Sequence, residues 1–274
     1  MSYPACPKCA HAPLPADQAL PAACPACGLI LAKFTAASAA VPVARAPAAG
    51  TGNGLVSSDA REEAAHSEAL ERFIDHLRYV PDQVSSMNWW ARIAGLVLFG
   101  AWTLWIWTDV DIAGGDSGSR FLHLVLTPFH ESGHYLIFRW FGQFIMTLGG
   151  TLGQHLLPIV LGAALLMKNR NPYGAAIALW LLGYSLIDMG VYMYDAFDPQ
   201  LMLLDGRTGA ESDGHDWQNI FGDLGLLRRA RDIGLFWGWV GHAVMLAGMA
   251  WAAWIVWLQK ARLSDSPFAE EDVR

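Results

Sequence analysis

Charge is scarce in this chain. Of its 274 residues only 16% are charged, where soluble domains carry roughly a quarter. A basic surface is missing as well: the formal charge is −7, so no nucleic-acid partner is expected. The first 30 residues hold cysteines and prolines, with no charged start followed by an apolar stretch, so no secretory signal is expected there. Cysteine is absent after position 27, which confines thiol chemistry to the N-terminus. Abundance lies elsewhere: 54% of residues are hydrophobic and thirteen are tryptophan. That balance points to a membrane protein.

The cysteines form two pairs, Cys6-x2-Cys9 and Cys24-x2-Cys27, with fourteen residues between them. Two such knuckles can offer four thiolates to one tetrahedral zinc. Two disulfides are the alternative, but adjacent CxxC pairs favour metal or redox chemistry. The Cys-Pro-x-Cys form, with Gly28 after the second pair, resembles a small zinc ribbon over residues 1–34. So short a segment has no core, and the metal would supply its folding energy. Reduced thiolates place this end in the cytosol.

Residues 35–58 are Ala, Pro and Gly without periodicity and read as a flexible linker. Over 59–80, Leu70, Phe73, Ile74 and Leu77 recur at helical spacing among charges, which predicts an amphipathic helix beside the membrane. Five apolar stretches follow within a membrane domain at 88–260: Ala91–Trp107, Phe121–Phe141, Leu152–Met167, Gly174–Tyr194 and Ile233–Leu258. Each approaches the roughly 20 residues that span a bilayer. The expected fold class is an all-α polytopic membrane protein of four to five transmembrane helices, with a polar tail at 261–274. The lipid bilayer is its first partner.

Arg61, Arg72, Arg78 and Arg92 precede the first crossing, while Asp109, Asp111 and Asp116 follow it. The N-terminus is therefore expected on the cytoplasmic side of the inner membrane. Five simple crossings would put Arg228, Arg229 and Arg231 inside, but Lys168, Arg170, Lys260 and Arg262 outside. One re-entrant stretch would reverse the later assignments.

The second stretch contains His130-Glu131-Ser132-Gly133-His134, the HExxH pattern. Two histidines at i and i+4 share a helix face and can clamp one Zn²⁺, and the glutamate beside them serves as general base towards the attacking water. A carboxylate in the bilayer is expensive, and such groups usually mark function. His123, Thr127, His130 and His134 fall on one stripe. A histidine-rich helix contact held by interhelical hydrogen bonds is the plain alternative.

A catalytic zinc needs a third protein ligand. Asp188 lies in the fourth stretch with Tyr184, Tyr192 and Asp195 on its face. Its depth is comparable to that of His130 if the two helices run parallel. His215, in the polar loop before the last helix, can fold back onto a shallow site. Asp205 is a further candidate, and His242 reads as a core histidine. His123, His155, Asp195 and Asp216 are expected to stand behind the ligands and orient them.

The HExxH motif makes the chain resemble the site-2 protease class of intramembrane metalloproteases. In that class a later Asn-Pro…Leu-Asp-Gly motif supplies the third ligand. Here Asp198-Pro199…Leu204-Asp205-Gly206 differs by an Asp for the Asn and by one missing residue. Over roughly residues 85–260 the chain is also similar to a group of uncharacterised bacterial membrane proteins. Their pattern resembles HExGH, Phe-Gly-x-Phe, a Gly-Gly turn leading to Gln and Pro, an Asp pair on a helix, and a His-Asp-Trp loop. The matching residues are His130–His134, Phe141–Phe144, Gly149–Pro158, Asp188 with Asp195, and His215-Asp216-Trp217. This likeness favours Asp188 and His215 over Asp205.

The function expected is a membrane-embedded zinc peptidase acting on a membrane-associated protein, with Glu131 as base and the ribbon recruiting a cytosolic partner. Two other classes stay open. One is a non-enzymatic adaptor or sensor that works through the ribbon. The other is a b-type haem protein using histidines among His123, His130, His134, His155 and His242.

Overall fold

The computed structural model describes residues 5–6, 9, 11–15, 18, 22–29 and 58–264. It divides into two units, Met1–Ser57 and Ser58–Arg274. The linker up to residue 57 and the tail from 265 lie outside the described residues.

In the first unit the four cysteines converge. Cys6 Sγ lies 3.6 Å from Cys27 Sγ, and Cys9 Sγ lies 3.7 Å from Cys24 Sγ. All four are free thiols, so neither disulfide of the alternative forms. Gly28 follows the second knuckle at φ +71°, a left-handed turn that suits glycine. Its N–H donates to the Cys24 carbonyl at 2.9 Å and closes the knuckle.

The second unit is helical, with only isolated bridges among its described residues. Its helices are α1 (Ser58–Leu77), α2 (Ser86–Asp109), α3 (Arg120–Ser132), α4 (Gln143–Ala163), α5 (Pro172–Asp195), α6 (Asp216–Asp223) and α7 (Ala230–Lys260). A π-helical turn extends α3 over Gly133–Ile137, and another extends α4 over Ala164–Lys168. Four segments are long and apolar enough to cross a membrane: α2, α4 with its π turn, α5, and α7 with the turn before it. The chain is a helical membrane protein.

Helix α5 is the central post and α7 lies along it. The seam is made of glycine: a Cβ on Gly190 would meet the Gly234 carbonyl at 2.7 Å, and one on Gly241 would meet that of Gly183 at 2.6 Å. Small residues let two backbones approach in lipid, where dispersion and hydrogen bonding, not the hydrophobic effect, drive helix association. Helix α2 turns most of its face outward, with Trp90, Val97, Leu98, Leu104 and Trp105 exposed. In α1 the expected stripe of Leu70, Phe73 and Ile74 is likewise exposed.

One end of the bundle gathers the start of α2, the start of α5 and the end of α7. Trp89 donates to the Val256 carbonyl at 3.0 Å, Trp251 donates to that of Leu77 at 2.9 Å, and Tyr173 donates to that of Arg92 at 2.8 Å. The other end gathers the end of α5, all of α6, the start of α7 and the start of α4. There Phe144 and Leu148 of α4 pack against a core of Met193, Trp217, Ile220 and Ala230.

The stretch 121–141 does not form the fifth crossing expected of it. Helix α3 begins midway along α5, where the Tyr184 hydroxyl donates to the carbonyl of Ser119 at 2.6 Å. Tyr184 lies twelve residues, or about 18 Å, above the start of α5. From there α3 rises against α4 in the opposite sense, and its π turn ends beside the start of α4. This stretch is therefore the re-entrant one. Four crossings would put α1, Arg92, Lys168, Arg170, Lys260 and Arg262 at one face of a bilayer, and Arg228, Arg229 and Arg231 at the other.

Candidate metal centre

His130 closes α3, and His134 sits in the π turn that continues it. Single π turns are frequent at functional sites. Pro128 stands just upstream and has no N–H for the helix ladder. The histidines fit against α4 because α4 is glycine there: a Cβ on Gly150 would meet both imidazole Nε2 atoms, and one on Gly133 would meet the Gly149 backbone. Gly149 and Gly150 thus lie within a helix at its closest approach, not in the expected turn.

The third group is Asp216. Its Oδ2 lies 3.0 Å from His130 Nε2 and 3.1 Å from His134 Nε2. The three ligand atoms lie within 4.8 Å of one another, a group that could hold a metal ion. Asp216 was expected behind the ligands; it faces both histidines directly. Burial raises the Asp216 carboxyl's pKa, but the two imidazoles outweigh this and hold it below the ordinary carboxylate range. Asp216 also stands in the first turn of α6, where the helix dipole favours a negative charge.

His215 and Asp188 have other work. His215 is fully buried as the N-cap of α6: its Nδ1 accepts from the Gln218 N–H at 3.1 Å, and its Nε2 lies 3.2 Å from Asp195 Oδ2. A cap side chain is turned back onto its own helix, so it is the next residue that faces the site. The Tyr192 hydroxyl, 3.1 Å from the Asp216 N–H, accepts from it and fixes the entry to α6.

Asp188 pairs with His123 Nδ1 at 2.9 Å and accepts from Gln154 Nε2 at 2.9 Å. Asp188 would match His130 in depth only if α3 and α5 started at the same level. Helix α3 starts midway along α5, so His123, two turns before His130, is the histidine level with Asp188. His123, expected behind the ligands, pairs with Asp188, and Asp195 pairs with the capping His215.

The hydrogen bonds leave little freedom in the imidazoles. His134 Nδ1 lies 2.8 Å from the Met146 carbonyl, which can only accept, so that nitrogen carries a proton. Gln154 donates its amide N–H to the Asp188 carboxylate, which leaves its carbonyl oxygen facing His130 Nδ1 at 3.2 Å. That nitrogen is a donor too. Both Nε2 atoms therefore point at one carboxylate oxygen, and each needs a proton or a cation between itself and Asp216.

The remaining candidates separate cleanly. Asp205 is paired with Arg207 at 2.6 Å on an exposed turn. His155 bonds Ser185 at 3.1 Å through Nδ1, while its buried Nε2 has no hydrogen-bond partner. His242 donates to the Gly238 carbonyl at 2.8 Å beneath Trp107, as a core histidine does. Gln154, Tyr192 as an α6 anchor, and the Met146 carbonyl were not anticipated as site groups. A glutamine inside an apolar stretch was the available signal.

A cavity of about 670 Å³ lies over the cluster. Glu131, His130, His134, Asp216, His123 and Asp188 line it, together with Leu201, Met202 and Leu204 of the 196–215 loop. In the first unit, the ligand atoms of Cys6, Cys9, Cys24 and Cys27 also lie within 4.8 Å of one another. The His11 backbone lowers the Cys9 thiol's pKa, but the neighbouring thiols push it up to about 12, so protons stay there unless a cation displaces them. No protein-family model, curated protein or solved structure matches this chain.

Proposed function

We propose that the chain is a membrane-embedded zinc metallopeptidase resembling the site-2 protease class, with His130, His134 and Asp216 as ligands and Glu131 as general base. The convergence of two Nδ1-anchored imidazoles on one ionised Asp216 oxygen carries this reading. Tetrahedral zinc with bonds of about 2.0–2.1 Å has ligand–ligand edges of roughly 3.3 Å. The separations of 3.0 and 3.1 Å come close to that. Ligands on one helix face are poorly placed for haem, whose axial ligands stand on opposite faces.

Zinc bound there would polarise the scissile carbonyl and bring the attacking water's pKa to about 7. The rest falls to the chain. Glu131 takes the proton as the water oxygen bonds to the carbonyl carbon, then passes it to the leaving amine nitrogen as the C–N bond breaks. Gln154 and the Met146 carbonyl hold the imidazoles still, and Tyr192 holds Asp216.

The arginines and lysines of the α1 face support its placement on the cytoplasmic side of the inner membrane. The cavity mouth, beside Asp205, Asp213 and Asn219, would then open on the far side. A second zinc at the four cysteines, as a ribbon for a cytosolic protein partner, belongs to the same proposal.

The test is zinc content and cleavage by the full-length protein. Two zinc per chain are expected, one in His130→Ala/His134→Ala, and two in Glu131→Gln. An unfolded protein such as casein should be cut by the wild type and spared by Glu131→Gln. Zinc retention in the double variant would remove the site, while equal cleavage by Glu131→Gln would leave a non-enzymatic metal protein.

A further inference from the structure

The half-length of α3 leaves a space beneath it. Between α2, α4 and α5, below the start of α3, lies a groove of about 730 Å³ whose surface is almost wholly apolar. Phe99 and Trp102 of α2, Phe121 of α3, Leu161 and Leu165 of α4 and Ile177 of α5 line it. It lies within the membrane-crossing part of the bundle, so the bilayer is its solvent. Among the described residues its only charged lining group is Arg92, one turn from Asn88, at the α1 end.

We propose that this groove is a binding site for one acyl chain of an anionic phospholipid, with its phosphate beside Asn88 and Arg92. From Asn88 to Trp102 is fourteen residues of α2, or about 21 Å. That is one leaflet of a hydrocarbon core about 30 Å thick plus the zone below the headgroup. The aromatic ceiling of Trp102 and Phe121 stops the chain at mid-bilayer, where α3 begins. A positive group at the mouth and none deeper matches a ligand with an acidic head and an apolar tail. The site is separate from the metal centre and does not depend on the peptidase reading.

Native mass spectrometry of the full-length protein, titrated with dioleoyl phosphatidylglycerol or dioleoyl phosphatidylcholine, tests this. One tightly held phosphatidylglycerol per chain is expected. Leu161→Trp, which fills the groove from a partly exposed position, should lose it. Val97→Trp, on the outer face of α2, should keep it. Arg92→Gln should weaken phosphatidylglycerol by about fivefold, the effect of one charge near the headgroup, and leave phosphatidylcholine unchanged. No bound lipid, retention in Leu161→Trp, or equal affinity for both lipids would overturn the proposal. A dimer lost in Leu161→Trp would overturn it too, by giving the groove to a second copy.

Discussion

Gln154 ties His130 to Asp188. Its carbonyl stands 3.2 Å from His130 Nδ1, and its amide nitrogen donates to the Asp188 carboxylate at 2.9 Å. One side chain thereby sets the ring orientation and tautomer of a proposed ligand from a carboxylate on another helix. Loss of such a partner usually costs about 10–100-fold in metal affinity. Gln154→Leu is expected to show that loss in a zinc competition with a chromogenic chelator. Affinity equal to the wild type would mean that the relay does not anchor the imidazole.

Asp216 and Asp188 make opposite predictions. Asp216→Ala should lower the full-length protein from two zinc to one, as the double histidine variant does. Asp188→Asn should retain two, with weaker binding at the second, because its carboxylate works through Gln154. Asp205→Ala should change neither number. If Asp188→Asn loses the metal outright while Asp216→Ala keeps it, the ligand assignment is inverted.

How much of this was legible in the sequence differs from element to element. The apolar runs of α2, α5 and α7 mark their helices to within a few residues, because lipid-facing and buried faces are both apolar. Helix α4 begins nine residues earlier than its apolar run. Gln143, Thr147, Gly149 and Gly150 dilute the hydropathy there, and those same residues form the face turned to α3 and the cavity. His130 and His134 were legible from spacing alone. Asp216 was named, but one step behind the candidate ligands: whether His215 or Asp216 faces the site depends on which one caps α6. Nor could composition show that α3 starts mid-bilayer, since a half-crossing and a full one share the same apolar run.

The close approach of α4 to the histidines gives a steric test. A side chain on Gly150 would occupy the space of both imidazole tips. Gly150→Val should abolish the second zinc while helical content by circular dichroism is retained. Gly222→Ala is the control, because nothing lies within 4 Å of its Cβ. Two zinc in Gly150→Val would show that α4 can draw back from α3.

The α5–α7 seam should resist enlargement more than any lipid-facing surface. At Gly190 the opposing atoms are backbone of Gly234 and Gly238, which cannot swing aside as a side chain would. Gly190→Leu is expected to cost at least the roughly 1–3 kcal/mol of an overpacked core. A large fall in the thermal midpoint in detergent would report it. Val97→Leu, on the exposed side of α2, should leave the midpoint unchanged. Equal midpoints for the two variants would mean that the helices are not packed through these glycines.

The re-entrant path of α3 fixes a parity. If α2, α4 and α5 cross and α3 does not, Asp82 and Asp213 are separated by three crossings and lie on opposite faces of the membrane. If α3 crossed as well, four crossings would return Asp213 to the side of Asp82. Asp82→Cys and Asp213→Cys should therefore differ towards a membrane-impermeant maleimide on intact cells, read above the labelling of the wild-type chain. The placement of the α1 face in the cytoplasm predicts labelling at Asp213→Cys and protection at Asp82→Cys until the membrane is permeabilised. The reverse pattern would keep the fold and turn the cavity mouth to the cytoplasm. Labelling of both positions, or of neither, would make α3 a full crossing and remove the mid-bilayer start that sets His123, rather than His130, level with Asp188.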